Sequence, residues 1–264
     1  MSLRSLIILT ALAACCSPSP AAAAPTLAPA CDFAAKVSGH GRGVACRIPL
    51  DRDRGAFTLE AWGDLNDDAL EAHGLRLSHL AKPDYADRQA RVTLTLAPFP
   101  AQIWRTADGV GGLKAADFNG DGYTDLALLE RETGRPNPPY FYWLFDPEAD
   151  QFVRSSALER LGDVFLNPAT GLLETYWRMG ASEEGVSHHR WVNGTLTIAF
   201  QAVCPMFHEP GEGALLLTGA DGVEQEIPMA PGESCLERME NEEKAFQARW
   251  AARTSPPAAQ PPPP

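Results

Sequence analysis

AADFNGDGYTDLALLE, residues 115–130, crowds Asp117, Asn119, Asp121 and Asp125 around Gly120 and Gly122, then runs straight into an apolar stretch. Like charges this close repel one another unless a cation lies among them. The order D-x-N-x-D-G-x-x-D puts oxygen-bearing side chains at alternate places and a glycine at the sixth, where a calcium loop turns sharply. Asp117, Asn119, Asp121 and Asp125 are the expected side-chain ligands of a structural Ca2+, and Tyr123, at the seventh place, would add its backbone carbonyl. An EF-hand requires a bidentate Glu at the twelfth place and an exiting helix. Here that place is Leu128, and DLALLE reads as a strand. The stretch is therefore expected to be a turn leading into a strand, its coordination completed by water or by another residue such as Asp108. A solvated aspartate–glycine turn that binds nothing is the alternative.

Strand signals continue on both sides. ARVTLTL (90–96) alternates, TLTIAFQAV (195–203) is rich in β-branched and aromatic residues, and YFYWLF (140–145) is an aromatic run followed by the turn DPEAD and the short QFVR. Asn193-Gly194 between two such runs predicts a type I′ hairpin. Helices are few: NDDALEAHGL (66–75) is expected to form a short one, capped by Asp64 or Asn66 and stopped at Gly74, and CLERMENEEKAFQARW (235–250) a terminal one. DLNDDALEA (64–72) echoes the calcium pattern but lacks its glycine and final acid. Many short strands with glycine and aspartate turns argue for an all-β fold, a small propeller-like arrangement of antiparallel strands with a C-terminal helix, or else a β-sandwich.

The ends differ from the middle. MSLRSLIILTALAACC is a short apolar run closed by a Leu-Ala-Ala-Cys box, the pattern of a lipoprotein signal over 1–14, with Cys15 as the lipidated residue. An ordinary signal peptide cut in the later alanines is the alternative. Cys16 follows Cys15 with no Asp there, which by the bacterial sorting rule points to the outer membrane. Residues 15–30 then make a proline–alanine tether, 31–251 a single β-domain and 252–264 a proline-rich tail. With 22 basic and 34 acidic residues, the net charge of −12 repels phosphate backbones and disfavours nucleic acid as a partner. Cys31, Cys46, Cys204 and Cys235 remain for disulfides. Of three pairings, Cys31–Cys46 and Cys204–Cys235 each close a local segment, and each bridge would contribute about 3–4 kcal/mol by restricting the unfolded chain.

No catalytic motif stands out. There is no G-x-S-x-G elbow, H-E-x-x-H pair or P-loop, and His188-His189 on one strand would point to opposite faces. His40, His73, His79 and His208 stand alone. The expectation is a protein that is not an enzyme.

DFNGDGYTDL resembles the calcium repeat of FG-GAP and VCBS-type β-propellers. Over residues 100–203, the blocks IWRTADGVGGLKAADFNGDGYTDLALL, PYFYWLFDP with QFVR, and HHRWVNGTL follow the order of the periplasmic immunity lipoproteins of the Xanthomonadales. Those proteins protect cells from lysozyme-like effectors of bacteria-killing type IV secretion systems. The resemblance implies a calcium-holding β-protein, a monomer tethered in the periplasm, that blocks the cleft of a peptidoglycan hydrolase with a protruding loop. RMGASEEGVSHH, with Arg178, Glu183, Glu184, His188 and His189, is the expected loop. A calcium-stabilised envelope adhesion module and a secreted hydrolase are the competing classes. The first should show several repeated calcium loops, and the second an activity that depends on one carboxylate.

Overall fold

The computed structural model describes residues 29–37, 39–50, 55–66, 68–80, 91–95, 101–107, 109–134, 136–180, 182–205 and 214–254. The expected signal, Cys15 with its lipid, most of the tether, the last ten residues, Asp108 and His208 lie outside these.

The strands form three antiparallel sheets. The first runs β1 (Ala30–Val37), β2 (Gly41–Pro49), β3 (Ala56–Leu65), β4 (Ala69–Leu80), β6 (Ala101–Thr106) and β7 (Gly109–Gly111), with β5 (Arg91–Thr95) on the far part of β4. It curls until β1 approaches β7, a nearly closed barrel-like sheet. The second is a four-stranded meander, the size of a propeller blade, of β8 (Leu113–Ala116), β9 (Asp125–Leu129), β10 (Tyr140–Asp146) and β11 (Gln151–Arg154). After the single-turn α1 (Ser156–Glu159) comes the third, a six-stranded meander. Its strands are β12 (Phe165–Asn167), β13 (Leu172–Met179), β14 (Glu183–Val192), β15 (Thr195–Pro205), β16 (Ala214–Gly219) and β17 (Glu224–Pro228). Helix α2 (Cys235–Thr254) closes the described chain and covers the third sheet. The all-β class with a C-terminal helix is thus as the sequence suggests.

The middle sheet explains the unbroken apolar runs. Alternate residues of β9 and β10 serve two cores. Leu126, Leu128, Phe141, Trp143 and Phe145 join the barrel interior with Leu59 and Ile103, while Ala127, Leu129, Tyr140 and Tyr142 meet Leu158 and Leu173 on the other side. A strand buried on both faces has no polar face to show, so it reads as a continuous run. A third core lies between α2 and the outer sheet, where Phe246 stacks on Phe200 at 4.7 Å.

The helix expected over 66–75 does not form. Asn66 Oδ1 accepts the backbone N–H groups of Asp68 and Ala69, making a tight turn, and β4 follows at once. The alternation was hidden by a β-bulge. Trp62 pairs with Gly74 but Gly63 with Ala72, so His73 is an extra residue. The bulge shifts the phase, and Leu70, Ala72, Leu75 and Leu77 all turn inward. Asn193 (φ 50°) and Gly194 (φ 75°) both take positive φ, as the type I′ hairpin requires. At α2, Ser234 Oγ accepts the Glu237 N–H while the Glu237 carboxylate accepts the Ser234 N–H, a reciprocal cap that starts the helix. The helix continues through Thr254, past the expected boundary at 251.

Disulfides join Cys31 to Cys46, directly opposed on β1 and β2, and Cys204 on β15 to Cys235 in the first turn of α2.

Tyr142 is fully buried, and its hydroxyl donates to Gly162 O (2.8 Å) while accepting the Val164 N–H (2.9 Å). Tyr142→Phe leaves two backbone groups without that partner, so urea unfolding should show about 1–3 kcal/mol lost stability with an unchanged m value.

Candidate functional site

The acidic loop joins β8 to β9, closed by the pair Ala116–Asp125. Its shape comes from carboxylates accepting backbone amides. Asp117 Oδ1 accepts Gly120 N–H (2.7 Å) and Asp121 N–H (3.1 Å), and Oδ2 accepts Gly122 N–H (2.8 Å). Asp121 accepts Tyr123 N–H and an Asn119 amide proton. Gly120 and Gly122 sit at φ 76° and 90°, backbone that a Cβ disfavours. Asp125 is wholly buried, and its two oxygens take the Phe118 N–H (2.7 Å) and the Phe145 N–H (2.8 Å).

Burial first, then the neighbouring acids, push the Asp117 carboxyl above the usual carboxylate range and Asp125 well above it, despite these hydrogen bonds. No Lys or Arg pairs with the three aspartates among the described residues. The donors are hard oxygens, the chemistry Ca2+ takes, and a carboxylate oxygen holding one N–H keeps a lone pair for a cation. In this structure the Asp117 and Asp121 carboxylates turn toward the loop's own amides and Asp125 is shared between the loop and β10, and no three His, Cys, Asp or Glu side chains are gathered to hold a metal among the described residues.

RMGASEEGVSHH is not a loop. Arg178 stands near the end of β13, and Glu183, Glu184, His188 and His189 all lie on β14, paired across to β13 and β15. Glu184, His188 and His189 are buried. The run reads as polar, yet Glu184 accepts the Tyr176 hydroxyl, Ser187 accepts the Trp177 indole N–H and His188 reaches Glu243, while His189 Nε2 is buried without a hydrogen-bond partner. Gly185 lacks a side chain because the Trp177 ring lies over it. What projects is the β13–β14 turn, where Ser182 N–H and Oγ both bond to Met179 O. Beside it Met179 is 64% and Tyr176 40% exposed, and the Tyr176 hydroxyl donates to Glu184 at 2.5 Å. Burial and the Glu184 charge push that phenol up to about 12, so it stays a donor at neutral pH.

His188 sits between two carboxylates that sequence reading did not single out. Its Nε2 is 2.8 Å from Glu243 on α2 and its Nδ1 is 3.4 Å from Glu174 on β13, with Phe200 and Phe246 rings around it. Glu174 is its cross-strand partner and so follows from strand register, whereas Glu243 is 55 residues away and carries no sequence signal. His189 faces the opposite way, toward Leu161 and Trp191.

The two imidazoles titrate in opposite senses. Burial lowers the His188 pKa, but Glu174 and Glu243 outweigh it and the net shift is upward. Its contribution is complete below the unfolded value near 6.5 and fades as pH rises through the folded value. Burial, then the His188 charge, lowers His189 to about 4, so its contribution is complete above 6.5 and fades as pH falls toward 4. From these two groups, stability should peak near pH 6.5. Urea unfolding across pH 4–9 should show the alkaline decline in the parent and its absence in His188→Gln.

Among the described residues this is a protein of three antiparallel sheets with a helix covering the third. The chain matches no family profile and no curated protein. It is similar to a solved structure described as that of a Xanthomonas type IV secretion system related protein, with 14% identity, 75% of this chain and 98% of that chain covered, and a TM-score of 0.49. A likeness of that size concerns the fold alone.

Proposed function

We propose that this chain is a periplasmic immunity protein that docks on a lysozyme-like peptidoglycan hydrolase and occludes its cleft, without catalytic activity of its own. It acts as a monomer, tethered to the outer membrane through Cys15. The sequence blocks between 100 and 203 support the reading, and the end of the β13–β14 hairpin carries it. A half-exposed tyrosine held by a buried carboxylate, with Met179 and Arg178 beside it, offers the rigid aromatic and arginine groups that dominate protein interfaces. A side chain held in place before contact loses less entropy on binding. An acidic surface speeds encounter with a basic enzyme.

The test is turbidity clearing of a peptidoglycan suspension by a lysozyme-like type IV secretion effector, with the purified protein added. A several-fold molar excess should stop clearing, and Tyr176→Ala should weaken inhibition at least tenfold in protein that circular dichroism shows to be folded, its melting midpoint lowered because buried Glu184 loses its donor. Undiminished clearing defeats the proposal.

In the same reading Asp117, Asn119, Asp121, the Tyr123 carbonyl and Asp125 hold one structural Ca2+. An ion bound only by the folded state stabilises it by about 2.7 kcal/mol at a hundredfold excess over Kd. Millimolar CaCl2 should therefore raise the melting midpoint of EDTA-stripped protein by about 5–10 °C. Asp121→Ala should abolish the rise, and an equal midpoint in EDTA and CaCl2 would mean that the loop binds no ion.

A further inference from the structure

A cleft of about 670 Å3 lies along β3, β4 and β6, and none of its lining residues belongs to the acidic loop or the β13–β14 hairpin. Its floor is a cross-strand row. Asp64 on β3 pairs with Glu71 on β4, and Glu71 pairs with Gln102 on β6. Two residues along, on the same face, Ala69 pairs with Trp104, and Asn66 closes the end. The volume lies in the range of small-molecule sites.

The polar groups are already oriented. Gln102 Oε1 accepts the Glu132 N–H at 2.9 Å, so its Nε2 is left to donate. Asn66 Oδ1 accepts two backbone N–H groups, so its Nδ2 is likewise left to donate. Among the described residues Glu71 has no hydrogen-bond or ion-pair partner, and Asp64 meets only His73 at 3.3 Å. The cleft therefore offers two amide donors beside two carboxylate acceptors. The Trp104 indole lies against Gly111 and Gly112, where any Cβ would strike it, and it lines the same cleft.

That combination selects a ligand class. A sugar hydroxyl donates one hydrogen bond and accepts others, so adjacent hydroxyls need donors and acceptors side by side. A pyranose ring also has an apolar face that lies on an indole. An anion is repelled by Asp64 and Glu71 within a chain of charge −12. A divalent cation prefers six or more oxygens and would face two amide N–H groups here. We propose that the Asp64–Glu71–Gln102 row, with Asn66 and Trp104, binds a neutral oligosaccharide of two or three rings. This site is independent of the hydrolase reading and stands or falls without it.

Isothermal titration of the full chain with cellotriose, maltotriose and chitotriose, at constant CaCl2, tests it. At least one trisaccharide should give saturable single-site heat. Glu71→Ala should weaken it tenfold or more, Gln102→Ala should weaken it too, and Glu148→Ala should leave it unchanged. Circular dichroism and melting midpoints confirm that each variant is folded. Absence of saturable heat with all three sugars overturns the proposal. So does an affinity unaffected by Glu71→Ala, or a Glu71-dependent Mg2+ heat in place of a sugar heat.

Discussion

Asp125 holds the centre of the molecule together. Its carboxylate is shut away from solvent, and it receives the N–H of Phe118 from the acidic loop and that of Phe145 from β10. A charge in such a place is costly, and backbone donors aimed at it are what make it tolerable. The two donors also carry large side chains in opposite directions. Phe118 enters the core shared with α1 and β13, and Phe145 enters the barrel interior. One side chain thus sets the spacing of two cores. The loop is fastened further by the Trp191 indole to Phe118 O and by Thr124 N–H to Leu50 O, which bring in the third and first sheets. A cation among Asp117, Asp121 and Asp125 would act at the point where all three sheets meet.

Between the middle and outer layers, Lys114 on β8 pairs with Asp163 just before β12, and its ammonium lies 4.0 Å over the Phe165 ring. Burial lowers the Lys114 pKa, with Asp163 acting against that. Across the outer layer, Glu174, His188 and Glu243 tie two strands to the helix, while Trp250 reaches back to Thr170 O. These paired polar groups fix the register of the layers while the apolar cores supply the driving force.

What the sequence reveals and hides follows from locality. The acidic loop, the Asn193-Gly194 turn, the aromatic β10 and both cysteine pairings depend on neighbours within a few tens of residues, and they were legible. β4 was not, because the extra residue at His73 breaks the two-residue period that identifies a strand. Nor was the burial of Glu184 and His188. A polar run looks like a loop unless its partners are known, and Tyr176 and Glu243 come from separate elements. The cleft is a third case. Asp64, Glu71 and Gln102 are unremarkable apart and become neighbours only through the register of β3, β4 and β6.

The bridge between Cys31 and Cys46 governs how the protein answers mechanical load. Tension applied through the residues that precede β1 enters at the open end of the β1–β2 pair, where Ala30 faces Arg47. A hairpin pulled from its open end unzips one rung at a time, the weakest way to load a sheet. Here the second rung is covalent. Force is passed at once to β2, which is hydrogen-bonded along Gly43–Pro49 to β3, so the seven-stranded sheet takes up the strain as a body.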